Sequence, residues 1–160
     1  MEKSIDDVCE ELDSLSLRSL ELIEEKVYAN MQLENTIREG NIELAKARYI
    51  RGKESIGSLQ IPQDGQMNSL FELSTNTSEI GGKKVPTFDI SLKPSKDNDV
   101  KSQDPIRWFG VLVPQNLRTA QKRFQDSIYL AVRVANITTE LETIPSEIAT
   151  LRSLKFALTK

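Results

Sequence analysis

Hydrophobic residues recur at steps of three and four along the first third of the chain, which is the spacing of an amphipathic helix. The row consists of Ile5, Val8, Leu12, Leu15, Leu20, Ile23, Val27, Met31, Ile37, Leu44 and Ala45. Polar residues interrupt it, so the pattern is a heptad-like stripe with irregularities. Ser4 suits the N-cap and Gly52 the C-terminal stop, which predicts helix one over 4–51. A helix of about 70 Å needs a partner of similar length.

The same period resumes at Pro114, whose fixed φ suits the first residue of a helix. The second row consists of Leu117, Ala120, Phe124, Ile128, Ala131, Val134, Ala135, Ile137, Leu141, Ile144, Ile148, Leu151, Leu154 and Leu158. Helix two is predicted over 114–158, with a break or kink near Pro145. Two rows of equal length predict a mainly α fold, an antiparallel coiled-coil hairpin in which the 160 residues form one unit.

The stretch between the helical rows, 53–103, is rich in Pro, Gly, Ser, Asn and Asp. We predict a long insertion that is mostly loop and partly disordered. Two short segments alternate between apolar and polar residues, 70–73 and 87–92. They could pair across Gly81 and Gly82, although an isolated hairpin is marginally stable.

An apolar knot at 104–113 holds the only tryptophan, Trp108. It is too short to span a bilayer and too apolar to stay in water without a partner. With Val113 as N-cap, Leu112 and Leu117 would form a hydrophobic staple. The knot either seals the end of the hairpin or docks another protein, and the two interpretations are compatible.

Charge divides the predicted hairpin into unlike ends. The first 25 residues carry nine acids against Lys3 and Arg18, and Arg152, Lys155 and Lys160 would return beside them. The other end collects Lys46, Arg48, Arg51, Lys53, Arg107, Arg118, Lys122 and Arg123. This basic end is a solvated surface, or it meets an acidic protein patch or an anionic membrane face.

Composition argues against catalysis. The chain has no histidine, which removes the commonest general base and metal ligand, and it has no P-loop, GxGxxG or GxSxG string. Cys9 is the single cysteine, so an intrachain disulfide is excluded and a reducing compartment is favoured. We expect no enzyme activity, cofactor, metal or small-molecule substrate, and the net charge of −3 disfavours nucleic acid. Neither a signal peptide nor a transmembrane span is predicted.

Two strings resemble the eukaryotic coiled-coil-domain family of vacuolar proton-ATPase assembly factors. They are LAKARYIRGKESIGSLQ at 44–60 and DPIRWFGVLVPQNLRTAQKRF at 104–124. Together they cover about 40 of the 160 residues, and the second string is specific. The early ELDSL at 11–15 is similar to the start of the family, whereas 61–102 shows no match.

The resemblance implies a non-enzymatic assembly factor or chaperone that helps to build the proton-translocating membrane sector. It implies a peripheral, cytosol-facing subunit at the endoplasmic reticulum and early secretory pathway, held there by a transmembrane assembly-factor partner. Subunits of the membrane sector would be its other partners, and acidification of lysosomes and vacuoles would depend on it.

We predict two sets of contact residues. The first set surrounds the knot and the basic end: Trp108, Phe109, Gly110, Leu112, Val113, Pro114, Leu117, Arg118, Lys122, Lys46, Arg48 and Tyr49. The second lies off the main helical rows and would meet helices of the membrane-bound partner, unless it only widens the core: Leu17, Leu22, Leu33, Val132 and Ile137.

Two other protein classes remain open. A prefoldin-like general chaperone also has two long helices with β-hairpins between them, and 70–92 could supply the strands. A vesicle-tethering coiled coil is the other class, against which the scattered prolines argue.

Overall fold

The structure, a computed structural model, describes residues 3–63, 67, 69–80, 82–93 and 104–159. Helix α1 spans Ile5–Arg51 and helix α2 spans Gln115–Leu158. Between them lie strands β1, Phe71–Ile80, and β2, Lys83–Leu92, which form a two-stranded antiparallel sheet. Short 3₁₀ helices occur at Ser58–Gln60 and Pro105–Phe109.

The predicted fold class, a coiled-coil hairpin with a partly disordered insertion, is therefore wrong. Twenty residues of the supposed insertion are β-strand, ten in each of β1 and β2. The prediction treated the hairpin as isolated, but it is packed: Val85 on β2 is buried, and the ring of Phe71 meets Tyr129 of α2 edge-on at 5.7 Å. The parts of the disorder prediction that fall on 64–66, 68, 81 and 94–103 lie outside the described residues.

The register of the hairpin follows from its tight connection. Strand β1 ends at Ile80 and β2 begins at Lys83, and Gly82 just before β2 has a φ of 75°, a conformation that glycine adopts without strain. Leu70 lies ten residues before Ile80, and Lys93 lies ten residues after Lys83. The Lys93 N–H donates to the Leu70 carbonyl at 2.8 Å, so these two residues are in the same register as Ile80 and Lys83. In an antiparallel ladder, alternate residues turn their backbone groups away from the partner strand. Phe88 is one of these residues, and so is Pro86, which has no N–H to lose.

Helix α1 starts and stops where the sequence predicts. The Ser4 N–H donates to Asp7 Oδ2 at 3.0 Å, and the Asp7 N–H donates to Ser4 Oγ at 3.2 Å. This reciprocal pair satisfies donors that the first turn leaves open. At the other end, Gly52 has a φ of 91° and donates its N–H to the Arg48 carbonyl at 2.9 Å.

Helix α2 begins directly after Pro114 and runs through Pro145 to Leu158. The helix is continuous through Pro145, so the predicted break does not occur, and the kink stays a prediction. Immediately beside it, Thr143 is buried and its hydroxyl donates to the Glu140 carbonyl at 2.8 Å, inside the helix.

The chain forms two compact units, and α1, α2, β1 and β2 each contribute to both. The first unit comprises 1–30, 75–88 and 132–160, and the second comprises 31–74 and 89–131. The core of the first contains Leu22, Ala29, Ile137 and Ile144, with Val134, Leu141 and Ile148 packed against them. The core of the second contains Ala47, Ile56, Ile106 and Leu117, with Leu44, Phe109 and Val113 packed against them. That the 160 residues act as one structural unit stays a prediction.

Within the second unit the two helices approach closely at Gly40. A β-carbon built at this glycine would lie 3.0 Å from the ring of Phe124 on α2. Gly40 is therefore conformationally ordinary but tightly packed, since a β-carbon there would require the Phe124 ring to shift by a few tenths of an ångström.

Candidate functional site

The apolar knot is anchored to the second unit through its 3₁₀ helix. The Asp104 carboxylate accepts the Ile106 N–H at 3.1 Å and the Gln121 side-chain amide at 2.6 Å. Ile106 is buried in the core of this unit beside Ala47 and Leu117. The sequence DPI thus fixes the knot against both helices at once, with the aspartate as cap and the isoleucine as anchor.

The knot points side chains in two directions. Phe109 and Val113 pack against the core, whereas Val111 and Leu112 between them are 93% and 79% exposed. Gly110, with a φ of 106°, makes the turn that separates the two sets. Because Leu112 is so exposed, it cannot form the predicted hydrophobic staple with the buried Leu117.

The twelve predicted contact residues divide by exposure. Leu117 is buried, and Trp108, Phe109, Val113 and Pro114 are half-buried. Gly110, Leu112, Arg118, Lys122, Lys46, Arg48 and Tyr49 are exposed. The seven exposed residues are accessible to a partner as they stand, and the other five hold the local framework in place.

An open groove of about 450 Å³ brings some of them together in the second unit. It is lined by Ile42, Ala45, Lys46, Tyr49, Ile50 and Asn116. Tyr49 is 91% exposed at this groove. Glu43 organises the polar side: Lys46 donates to it at 2.6 Å and Asn116 at 2.5 Å. These bonds, that from Lys46 first, lower the pKa of Glu43, so the carboxylate is ionised and ties α1 to the start of α2.

The structure shows a second apolar surface, on α1, and the sequence pattern predicted it on other residues. In the first unit, α1 buries a row spaced by seven residues, in which Val8, Leu22 and Ala29 are at most 1% exposed. A second row, which we call the exposed α1 stripe, faces away from this core. It consists of Leu17, Leu20, Ile23 and Val27.

Several assignments are therefore reversed. Leu22, predicted to lie off the helical rows, belongs to the core of the first unit. So does Ile137, which the sequence analysis places both in the second helical row and among the partner contacts. Leu33 and Val132 are half-buried, and only Leu17 of that set is exposed. Leu20, Ile23, Val27 and Met31, predicted to form the internal seam, are all exposed. The missed signal was the small residues Ala29, Gly40 and Ala47, which mark the row where α1 is most tightly packed.

Charges beside the exposed α1 stripe are mainly acidic. Asp13 and Glu24 are exposed and lie at helical steps from Leu17 and Leu20. Two cations lie near the stripe in the sequence, Lys26, which is half-buried, and Arg18. Arg18 contacts Glu140 of α2 at 2.8 Å, and this bond raises the pKa of Arg18. The stripe is thus an apolar row with more acidic than basic neighbours.

The described residues contain no cluster of three or more Cys, Asp and Glu that would hold a metal ion. Cys9 is a half-buried thiol. Neither helix has a segment with the length and hydropathy required to cross a bilayer within the described ranges. What the geometry offers is apolar surface for binding.

Comparison with known proteins gives consistent matches. The family model described as Vma22/CCDC115 matches residues 74–127, from the middle of β1 into α2. The vacuolar ATPase assembly protein VMA22 of Mus musculus is 34% identical over 151 residues, which cover 82% of this chain and 84% of the relative. The protein of the same name from Homo sapiens is 32% identical over 155 residues, covering 85% and 86%. That of Bos taurus is 29% identical over 154 residues, covering 84% and 86%.

Proposed function

The chain belongs to the Vma22/CCDC115 family, as its two strings predict, and on this premise we propose that it is an assembly factor of the vacuolar proton ATPase. The relatives carry that role in their names. The chain matches them over more than four fifths of their length, so the proposal concerns the protein as a whole.

The exposed α1 stripe is the observation that supports a binding role most directly. Leu20 is 63% exposed and Val27 is 55% exposed, and they are one heptad apart on a long helix. Apolar side chains at this spacing are the seam by which one helix packs on another. A contiguous apolar row of this kind marks a surface that a partner covers.

We assign the stripe to an amphipathic helix of a transmembrane assembly partner. Asp13 and Glu24 edge the stripe, so the helix that complements it carries Lys or Arg beside its apolar row. In this arrangement the chain is the peripheral subunit of a membrane-bound complex on the cytosolic face of the endoplasmic reticulum. The partner recruits the chain to the membrane.

The client in this proposal is the membrane sector of the ATPase, before it leaves for lysosomes or vacuoles. The groove beside Tyr49 and the exposed cations Arg118 and Lys122 supply its contacts. The role needs binding and release and no covalent step, so we propose a non-catalytic factor without a cofactor.

Complementation tests the function. Cells that lack their own relative of this chain should regain acidified vacuoles or lysosomes when it is expressed, and the tagged chain should capture a small membrane protein. Leu20→Glu with Val27→Glu should abolish both results. Leu73→Glu, which changes a similarly exposed leucine on β1, should leave both intact. Failure of the unaltered chain to restore acidification would refute the role.

The prefoldin-like alternative keeps one observation in its favour, the β-hairpin between two long helices. The two functions differ in stoichiometry. A stable hexamer of this chain in solution would support the general chaperone, whereas a 1:1 complex with a membrane protein would support the assembly factor.

A further inference from the structure

The 110–112 loop of the second unit presents apolar side chains to solvent on a rigid base. Val111 and Leu112 are among the most exposed large hydrophobic residues of the described chain. Their neighbours Phe109 and Val113 pack against the core, so the loop is held at both ends. The two side chains cannot fold back into the unit without releasing one of these anchors.

The surroundings of the loop are basic. Arg51, the last residue of α1, places a guanidinium nitrogen 3.9 Å from the position of a β-carbon built on Gly110. The Gly110 N–H bonds to the carbonyl of Arg107 at 3.2 Å, which brings a second cation to the base of the loop. Arg48 and Lys53 flank Arg51 in the chain, one turn before it and two residues after it.

These cations have no acidic partner within the part of the chain that the structure describes. Residues 46–59 contain four Lys or Arg and one acid, Glu54, and residues 105–118 contain two Arg and no acid. The ion pairs of the second unit use other cations, among them Lys46 with Glu43 and Arg123 with Glu39. Arg48, Arg51, Lys53 and Arg107 remain exposed.

We propose that the 110–112 loop and these four cations bind directly to an anionic lipid surface. Val111 and Leu112 enter the interfacial layer, while Arg48, Arg51, Lys53 and Arg107 meet the lipid phosphates and carboxylates. Two features favour lipid over an acidic protein. The side chains project almost fully into solvent, and a bilayer accepts such a projection without a preformed pocket. An apolar insert with cations at its base matches the two forces that hold peripheral proteins on membranes.

The basic segment also carries two highly exposed apolar residues, Tyr49 and Leu59. They are 91% and 83% exposed, and both lie within the basic segment 46–59. Tyrosine is enriched where an apolar layer meets water, because its ring and hydroxyl suit the two sides. This contact goes beyond the proposed function, since it requires neither the ATPase nor a protein partner. It also reassigns Leu112, which the sequence analysis predicts as a protein contact.

Sedimentation of the full chain with vesicles tests the proposal. The probes are vesicles of phosphatidylcholine with 30% phosphatidylserine and vesicles of phosphatidylcholine alone. We expect binding to the first, weakened by added salt, and at least tenfold weaker binding to the second. Val111→Gln with Leu112→Gln should reduce binding at least tenfold. Arg51→Gln, Lys53→Gln and Arg107→Gln should each reduce it about fivefold.

A matched control uses the apolar surface of the sheet. Leu73→Gln with Leu92→Gln removes two leucines that are each more than half exposed and should leave vesicle binding unchanged. Equal binding to both vesicle types, or full binding by the double loop variant, would overturn the lipid contact. A third outcome would also overturn it: the parent chain does not bind vesicles, and the double loop variant loses a membrane-protein partner in detergent. The loop would then be a protein contact.

Discussion

The side-chain amide of Asn136 on α2 pairs with the backbone of Phe88 on β2 as a neighbouring strand would. Asn136 Oδ1 accepts the Phe88 N–H at 2.8 Å, and Asn136 Nδ2 donates to the Phe88 carbonyl at 2.8 Å. Phe88 turns these groups away from β1, so without the amide they would lack a partner in the sheet. One residue of a helix thereby covers part of the free edge of a two-stranded sheet.

Replacing this amide should loosen the hairpin from α2. Asn136→Ala leaves two half-buried backbone groups without their partner, and we expect a loss of about 1–3 kcal/mol in the free energy of unfolding. Urea denaturation measures the loss, and hydrogen exchange at the Phe88 amide should accelerate. Asn41→Ala is the matched control, because its exposed amide bonds only to the Ile37 carbonyl of its own helix. Equal stability of the two variants would show that the amide does not anchor the strand.

The contact explains why the sheet was underestimated from the sequence. Alternation over 87–92 predicts a strand face correctly, but its support comes from a residue 48 positions away. No periodicity reports a single amide that pairs across the fold. The helix ends, by contrast, depend on neighbours in the chain such as Ser4 and Asp7, and local pattern predicts them.

Two leucines separated by one residue on α1 should respond very differently to truncation. Leu22 is 1% exposed in the core of the first unit, so Leu22→Ala should cost about 2–5 kcal/mol. Leu20 belongs to the exposed α1 stripe, and Leu20→Ala should change the stability of the isolated chain by less than about 0.5 kcal/mol. Thermal or urea unfolding of the two variants shows which row is buried. A larger loss of stability for Leu20→Ala than for Leu22→Ala would support the seam that the sequence pattern predicts.

The reason for that error lies in the size of the side chains. Both rows on α1 have helical spacing, and the larger residues happen to occupy the exposed one. The buried row uses Ala29 and Ala47 where the packing is tight, and a hydrophobicity count gives these residues little weight. The same limitation applies to the knot, since Val111 and Val113 are equally apolar and only the structure shows which of them points outward.

Gly40 should tolerate no large side chain. Gly40→Leu introduces a better helix former, so any loss of stability must come from the collision with the Phe124 ring. Overpacking of this kind costs about 1–3 kcal/mol. Asn41→Leu, one residue along on the exposed face, controls for the change in composition. A Gly40→Leu protein that unfolds at the same urea concentration as the parent would contradict the close approach.

The start of α1 should depend on pH through Asp7. Its hydrogen bonds with Ser4, that from the backbone N–H first, hold the pKa of the Asp7 carboxyl below its ordinary value of 3.8. Because the pKa of Asp7 is lower in the folded state than in the unfolded state, its hydrogen bonds stabilise the first turn fully at pH values above the unfolded-state pKa. This stabilisation is lost as the pH falls through the folded-state pKa. NMR titration should show a low pKa for Asp7 that rises in Ser4→Ala. An unchanged titration in that variant would exclude the Ser4 hydroxyl as a cause and leave the backbone N–H of residue 4.

Charge reversal at the basic start of α2 tests whether this surface docks a partner or is only solvated. Arg118 and Lys122 are exposed one helical turn apart, and neither has an ion pair among the described residues. Arg118→Glu with Lys122→Glu should therefore leave helicity and stability nearly unchanged, because exposed charges contribute little to folding. If the surface binds the assembling sector, capture of that sector from solubilised membranes should fall sharply. Arg152→Glu with Lys155→Glu makes the same change of charge near the end of α2 and should not affect capture. Equal capture by both double variants would mean that Arg118 and Lys122 contact only water. The client contact would then have to be sought at the groove beside Tyr49.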